Sequence, residues 1–337
     1  MSSEADEPPA DTDAPTPRRR RRRWPRVVLG SFAGLLVLLL AAGGWLYWRT
    51  DQALDAIPRI PDALPSMPEN EQPPRAEGDA LVFLLVGLDA DDTAASGGDW
   101  EAGAARSDTM MLLQISGDRE TASLVSLPRD TWVPVPGHGD AKLNAAYSWG
   151  GPALMVETVQ DLTEIRVDHV ALMDWTGFRA LTDAVGGVDL AGQHMNGEQA
   201  LEYVRERTSL PGGDFDRTRR QQAFLRALMR QTLSAGTLTN PGRLTGLLDT
   251  VDDVISVDDQ LGNGELRGLA WDLGGMGASG VHFMNAPVAG TDYVEGQSIV
   301  RLDEAAAEPL WAAMREDRMA AFLDSDRAPE ELGTDVR

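Results

Sequence analysis

The chain contains no cysteine, and its only lysine is Lys142. Without cysteine there is no disulfide, no thiolate zinc site and no cysteine nucleophile. The 30 basic residues are therefore one lysine and 29 arginines (30 − 1 = 29), a bias typical of genome composition, so arginine abundance alone is weak evidence for phosphate binding. The single retained lysine is more informative, and we expect its amine to take part in the chemistry.

Net positive charge is also lacking, because the formal charge of the chain is -23. Residues 1–50 carry eight arginines and five acidic residues (8 − 5 = +3), which leaves 22 − 48 = -26 for residues 51–337. A polyanion is repelled by such a surface, which argues against nucleic acid as a partner. An anionic ligand would need a local basic pocket.

Several common site motifs are missing. The four histidines, at positions 138, 169, 194 and 282, lack the spacing of a zinc-binding helix. No Walker loop, Gly-x-Ser-x-Gly or Gly-x-Gly-x-x-Gly follows a predicted strand. We interpret His169, at the start of a predicted strand, as a packed or capping residue.

The N-terminal region predicts a membrane anchor. Residues 1–26 read as a disordered cytoplasmic tail that ends in an arginine run, 18–23, and residues 27–48 carry no charge. Twenty-two helical residues span roughly 33 Å, enough to cross a bilayer. The arginine run predicts a single-pass protein whose C-terminal domain is extracellular, with the bilayer as a partner. A cleaved signal peptide is the alternative, with Ala41 near the cleavage site, but the aromatic residues at the far end favour a retained anchor.

After residue 79 the pattern predicts an α/β fold, with short apolar runs as buried strands and longer periodic segments as helices. Strands are predicted at 80–86, 110–115, 122–127, 169–174, 188–190 and 281–287. Helices are predicted at 144–162 with an interruption near Gly150, and at 175–185, 196–205, 215–233, 240–254, 264–273 and 303–323. The predicted divisions are a Pro-rich spacer at 49–79, a catalytic domain at 80–235, a C-terminal helical region with a small module at 236–323, and an acidic tail at 324–337.

One segment, YVRERTSLPGGDFDRTRRQQ at 203–222, gathers arginines around aspartates. Its charged residues of interest are Arg205, Arg207, Arg217, Arg219, Arg220, Asp214 and Asp216. Guanidinium groups pair two N–H donors with phosphate or carboxylate oxygens, so the segment predicts an anionic substrate. The alternative is a solvated helix face with ion pairs between successive turns.

Three loops at predicted strand ends carry the remaining polar candidates. They contain Asp89 with Arg106 and Asp108, Arg129 with Asp130, and Lys142 with Asn144. Ligand sites of α/β proteins collect at strand ends, and two aspartates with several arginines suit Mg²⁺ and a pyrophosphate. The alternatives are a turn residue for Asp89, a surface ion pair for Arg129 and Asp130, and a helix cap for Asn144.

In this order, the segments resemble the LytR-CpsA-Psr family of bacterial cell-envelope enzymes over about residues 80–233. The resemblance is carried by LLVGLD (84–89), RSDTMMLLQI (106–115), LVSLPRDTWVPVPGHG (124–139), KLNAAYSWGGP (142–152), DHVALMDWTGFRALTDAVGGVDL (168–190), NGEQALEYVRER (196–207) and DFDRTRRQQAFL (214–225). A weaker likeness at 281–300 is similar to a small C-terminal module of actinobacterial members.

The resemblance implies an α/β/α sandwich with a central mixed sheet that binds a polyprenyl-pyrophosphate-linked glycan with Mg²⁺. Such enzymes transfer the glycopolymer phosphate to a peptidoglycan hydroxyl and release polyprenyl phosphate. By matching position, Asp89 and Asp108 would hold the metal. The implied substrate-binding residues are Arg106, Arg129, Lys142, Asn144, Arg205, Arg207, Arg217, Arg220 and Gln221, and the implied catalytic residues are Asp108, Arg129, Arg205, Asp214 and Arg217.

The chain departs from the family pattern in one contact. Asp91 stands where members often carry an arginine, so one phosphate contact is missing. Two alternatives remain open: a pyrophosphatase acting on the same lipid donor, and a non-catalytic envelope or regulatory protein that binds polyprenyl phosphates. The identity of the glycopolymer also stays open.

Overall fold

The computed structural model describes residues 43–45, 47–88, 107–206, 214–238 and 240–329. The chain divides into two compact units, residues 1–48 and 49–337. Three predicted site residues, Asp89, Arg106 and Arg207, lie outside the described residues.

The first unit is described only at its end, where residues 43–45, 47 and 48 are helical. The side chains of Trp45, Tyr47 and Trp48 are about half exposed there. Among the described residues no helix is both long and apolar enough to cross a bilayer. Most of the predicted span, 27–48, lies outside the described part, so the membrane anchor stays a prediction.

The second unit contains short strands and helices in alternation. In chain order its strands are β1 (Arg59–Ile60), β2 (Leu81–Leu88), β3 (Ser107–Ile115), β4 (Ala122–Leu127), β5 (Trp132–Val135), β6 (Gly139–Lys142), β7 (His169–Asp174), β8 (Val188–Leu190), β9 (Gln193–Met195), β10 (Ile255–Asp258), β11 (Val281–Asn285), β12 (Val288–Val294) and β13 (Gln297–Leu302). Its helices are α1 (49–56), α2 (Leu143–Thr163), α3 (Trp175–Ala184), α4 (Gly197–Arg205), α5 (Asp214–Thr232), α6 (Ala235–Leu238), α7 (Pro241–Leu248), α8 (Val251–Val254), α9 (Asn263–Met276), α10 (Glu304–Arg315) and α11 (Met319–Leu323).

A seven-stranded mixed sheet forms the centre, in the order β1-β10-β7-β2-β3-β4-β11. Strand β2 is parallel to β7 and antiparallel to β3, and β3 is antiparallel to β4. Helices cover both faces, so successive side chains of β2 enter two different cores: Leu84 packs with α2 and α10, whereas Phe83 packs with α3 and α5. Burial on both faces explains the continuous apolar runs of these strands. The predicted α/β fold with a central mixed sheet is confirmed.

The predicted spacer at 49–79 is wrong in its first half. Residues 49–56 form α1, and Arg59–Ile60 pairs in parallel with β10 of the central sheet. The side chains of Leu54, Ile57 and Ile60 are buried. These few apolar residues, spaced three apart, are enough to attach the segment to the core, so the folded unit includes residues well before Ala80.

The predicted division at residue 235 is also wrong, because later segments complete the same sheet and core. Strand β11 pairs with β4, and β10 pairs with β7. Leu310, Trp311 and Met314 of α10 are buried against the β2 face. These pairings join residues far apart in the chain, which a local pattern does not reveal.

The predicted helix bounds hold well where the periodicity is strong. Helix α2 is interrupted as expected, with non-helical backbone at Gly150 and Gly151. The predicted helices 240–254 and 303–323 are each divided in two, the first near Asp249 and the second near Arg318.

Candidate functional site

Three strand ends meet at one edge of the central sheet. Leu88, the last residue of β2, pairs with Ser107 at the start of β3, and Met110 of β3 pairs with Leu127 at the end of β4. The residues that follow β4 therefore lie beside the first residues of β3. This register brings together two predicted residues, Asp108 and Arg129, that are 21 positions apart.

Four charged side chains form a continuous network at this edge. The Arg129 guanidinium pairs with the Asp108 carboxylate, and its Nε lies 3.8 Å from Oδ2 of Asp130. Asp130 in turn accepts from Lys142, whose Nζ is 3.0 Å from Oδ1. Asp108 is 9% exposed and the other three are about one-fifth exposed. Two cations and two anions thus alternate at a sheet edge that solvent can reach.

The start of α2 is fixed against the same loop. The backbone N–H of Leu143 donates to Thr131 O at 2.8 Å, and that of Asn144 donates to Arg129 O at 3.0 Å. Lys142 ends the β5–β6 hairpin, opposite Trp132, and is also the N-cap of α2. The interpretation of Asn144 as the cap is therefore wrong. The positive end of the α2 dipole adds to the local attraction for an anion.

Helices α4 and α5 supply the second group of predicted residues. Asn196 caps α4 in a capping box with Gln199, and Arg205 is its exposed last residue. Arg220 lies with its guanidinium carbon 4.4 Å from the centroid of the Tyr203 ring, and it donates to Tyr203 O at 3.4 Å. Among the described contacts, Arg220 joins α5 to α4 and does not reach the Asp108 network.

One buried hydrogen bond links α5 to the network. Thr109 Oγ1 donates to Gln221 Oε1 at 2.9 Å, and both residues are at most 5% exposed. Because Thr109 follows Asp108, this bond holds α5, at its third turn, near the network. Asp214 and Arg217 lie in the first turns of that helix, and their side chains are outside the described part. A direct substrate contact by Gln221 stays a prediction.

Asp130 was named beside Arg129 in the sequence but was not among the implied metal-binding, substrate-binding or catalytic residues. It bridges Arg129 and Lys142, whereas its position after Arg129 had suggested an exposed surface pair. The only sequence signal was the single lysine of the chain, 12 positions later, and the hairpin register that brings it to Asp130 comes from the structure.

The predicted Mg²⁺ site requires carboxylate ligands. Within the described ranges, no group of three His, Asp or Glu side chains is arranged to hold a metal ion. Of the predicted pair, Asp108 is described and Asp89 is not. Mg²⁺ commonly takes only one or two carboxylates, together with substrate phosphates and water, so Asp108 fits as one ligand.

The opposite edge of the sheet carries a different set of charges. Nδ1 of His169, at the start of β7, lies 3.1 Å from Oδ2 of the fully buried Asp258, and its Nε2 lies 3.5 Å from Oε1 of Glu265. Burial alone would lower the pKa of His169, but the hydrogen bond and charge of Asp258, with the charges of Glu265 and Asp168, outweigh it and raise the pKa. The interpretation of His169 as a packed residue is confirmed.

Comparison with known proteins identifies relatives over most of the folded unit. The model of the LytR_cpsA_psr family matches residues 62–193 and 191–316. The probable cell wall biosynthesis protein LcpB of Corynebacterium glutamicum is 34% identical over 315 residues, which cover 86% of this chain and 72% of LcpB. The cell wall biosynthesis protein LcpA of the same organism is 34% identical over 58% of this chain and 46% of LcpA.

Two further comparisons add a relative whose name states a reaction and, separately, a similar solved structure. The polyisoprenyl-teichoic acid–peptidoglycan teichoic acid transferase TagU of Oceanobacillus iheyensis is 31% identical over 68% of this chain and 76% of TagU. The structure of TagT bound to LIIa-WTA superposes with a TM-score of 0.57 and 24% identity, over 72% of this chain and 91% of TagT. At that identity, the superposition shows a shared fold.

Proposed function

The chain belongs to the LytR_cpsA_psr family, and on this premise we propose that it attaches a polyprenyl-pyrophosphate-linked glycopolymer to peptidoglycan. The family relatives named as transferases support this reaction class. The observation that carries the proposal is the partly exposed Asp108–Arg129–Asp130–Lys142 network at the strand ends of the sheet.

Arg129 and Lys142 bind the diphosphate of the donor. Both cations are paired with carboxylates, and both remain about one-fifth exposed, so phosphate oxygens can replace part of each pairing. The start of α2 lies beside them and attracts the same anion. Arg205, at the end of α4, and Arg217, in the first turns of α5, extend the cationic site, with Arg106, Arg207 and Arg220 as further predicted contacts.

The reaction exchanges a phosphoanhydride bond for a phosphoester bond. A peptidoglycan hydroxyl oxygen bonds to the glycan-linked phosphorus, and the bond from that phosphorus to the bridging oxygen breaks. Polyprenyl phosphate leaves with the bridging oxygen, and the hydroxyl proton passes to a carboxylate, Asp108 or Asp214. The arginines stabilise the charge that develops on the diphosphate, the usual role of guanidinium groups in phosphoryl transfer.

Asp89 and Asp108 would hold Mg²⁺, which when bound neutralises charge on the diphosphate oxygens. The proposed anchor at 27–48 places the domain outside the cell, next to the bilayer that carries the lipid donor. Among the described residues, Asp108 supports the proposed metal site, and the exposed aromatic residues near Trp48 support the proposed anchor.

A product analysis tests the proposal. The full chain in lipid vesicles is incubated with Mg²⁺, peptidoglycan and a donor labelled in its glycan, and the peptidoglycan is then digested. We expect labelled glycan joined through phosphate to peptidoglycan fragments. Label found only as free glycan phosphate would instead establish a hydrolase.

A further inference from the structure

One aromatic side chain of the folded unit is far more exposed than its size predicts. Trp271, on α9, is 83% exposed. A tryptophan ring in contact with water forgoes a burial free energy of about 2–3 kcal/mol. Its position on the molecule, more than its exposure, indicates what it contacts.

Helix α9 lies antiparallel to α1, and polar pairs fix the register between them. Asn263 of α9 pairs with Asp55 of α1, and Arg267, one turn later in α9, pairs with Asp51, one turn earlier in α1. The two helices therefore run in opposite directions. Arg59, just after α1, bonds to Leu261 O at 2.8 Å in the same order. Trp271 is the next residue on this face, roughly 6 Å beyond Arg267 toward the start of α1.

The start of α1 is where the chain leaves the proposed membrane segment. Arg49, its first residue in this unit, pairs with Asp249 in the turn between α7 and α8. This end of α1 follows the predicted span, 27–48, without an intervening residue. The end of α9 that carries Trp271 therefore lies beside the start of α1, where the proposed anchor would join the folded unit.

The charges around Trp271 indicate the kind of surface that it fits. Arg267 is paired with Asp51, and Arg119 lies 3.4 Å from Asp272, so the described basic groups beside the ring already have acidic partners. The net charge of residues 51–337 is -26 (22 − 48), which opposes attraction to anionic headgroups. Contact must then come from the ring itself, and tryptophan prefers the interface between headgroups and acyl chains.

The backbone beside Trp271 is open to such a contact. A Cβ added at Gly274 or Gly275 would meet nothing within 4 Å. The helix surface about one turn beyond Trp271 therefore has open space beside it at these two positions. We propose that Trp271 inserts into the bilayer interface and, with the anchor, fixes the tilt of the domain on the membrane. This rests on the membrane attachment proposed above.

Single thiols can test this position, because the chain has no cysteine of its own. Gly275→Cys lies one turn beyond Trp271, and Gly264→Cys lies on the same face near the start of α9, roughly 16 Å away. Both positions are open to an added side chain. The full chain, labelled with a fluorophore at either thiol, is inserted in nanodiscs that contain a nitroxide headgroup lipid.

We expect quenching at 275 to exceed that at 264 at least twofold, to be insensitive to salt, and to fall by about half when Trp271→Ala is added. Trp271→Tyr should keep most of the quenching, since tyrosine also prefers the interface. Equal quenching at both positions, or no effect of Trp271→Ala, would overturn the proposal. Quenching that rises with protein density would overturn it in favour of a second copy.

Failure of the anchor is separable from failure of this inference. Flotation of the unlabelled chain with vesicles reports the anchor alone, and product analysis reports the reaction alone. A chain that does not float overturns both the anchor and the role of Trp271. A chain that floats and transfers glycan, but shows no difference between the two labels, overturns only the role of Trp271.

Discussion

Both edges of the central sheet carry charged side chains, but the charges are partly exposed at one edge and buried at the other. At one edge, where β2 and β4 end, the charges of Asp108, Arg129 and Lys142 are partly exposed. At the other edge, Asp258 is fully buried and accepts hydrogen bonds from the backbone N–H groups of Val170 and Leu261 at 3.0 and 3.1 Å, besides its contact with His169.

The contrast separates a structural cluster from a binding cluster. A buried carboxylate with several donors is stabilised in one geometry, and no acceptor capacity is left for a ligand. Partly exposed ion pairs contribute little to stability, so their grouping at strand ends needs another explanation. Substrate binding supplies it, and the two edges should therefore respond in opposite ways to mutation.

The largest expected effect is on stability at the buried edge. Asp258→Ala removes the acceptor of several donors and leaves His169 without its main partner, so the free energy of unfolding should fall by about 3–5 kcal/mol. Urea unfolding followed by circular dichroism measures it. Asp130→Ala, at the exposed edge, should cost about 1 kcal/mol or less. Equal losses would remove the distinction between the edges.

The next effect is on activity at the exposed edge. Arg129→Ala should slow transfer about 10²–10³-fold, because one donor to the developing charge is lost, while the fold is retained. Release of polyprenyl phosphate measures the rate. Arg301→Ala is the matched control, since Arg301 pairs with Asp292 in the β12–β13 hairpin. Normal activity of Arg129→Ala would contradict the assignment of this edge.

Lys142 tests whether the exposed edge needs a charge or an amine. Lys142→Met should slow transfer about 10–100-fold, the effect of losing one charge-assisted hydrogen bond of roughly 1.5–3 kcal/mol. Because arginine supplies every other basic residue of the chain, we expect Lys142→Arg to be nearly as slow. Rates measured with saturating donor compare the two variants. Full activity of Lys142→Arg would mean that the positive charge suffices.

The smallest effect is a pH dependence at the buried edge. The pKa of His169 is raised from 6.5 in the folded protein, so its protonated form stabilises the fold at low pH. This contribution is complete below the unfolded pKa and is lost as pH rises through the folded pKa. The Tm difference between the wild type and His169→Gln should therefore shrink from about pH 5 to about pH 9. A constant difference would show that His169 contributes by packing alone.

The sequence predicted the parts of this fold that depend on local pattern. Strand β7 has the predicted bounds, and α2 has the predicted break near Gly150. Strands β1 and β10 were missed because they are only two and four residues long, too short to show a periodic pattern. Their pairing also joins segments that are distant in the chain. The hairpin β5–β6 was missed because Pro134 within it weakens the strand pattern.

The site could be predicted in its residue types and not in its contacts. Asp108 and Arg129 were both expected in the site, because each stands next to the end of a predicted strand. The bridging role of Asp130 depends on the register that places Lys142 opposite Trp132, and no local feature of the sequence fixes that register. Gln221 was expected at the substrate, and its buried bond to Thr109 depends on how α5 packs against β3.

The most direct test of the proposed reaction is the acceptor dependence of polyprenyl phosphate release. The full chain in vesicles, with Mg²⁺ and a short lipid-pyrophosphate glycan, is assayed with and without peptidoglycan. The proposed transferase predicts release that rises with peptidoglycan and is lost in Arg129→Ala. Release that is the same without peptidoglycan, or tight binding of the donor with no release, would contradict it.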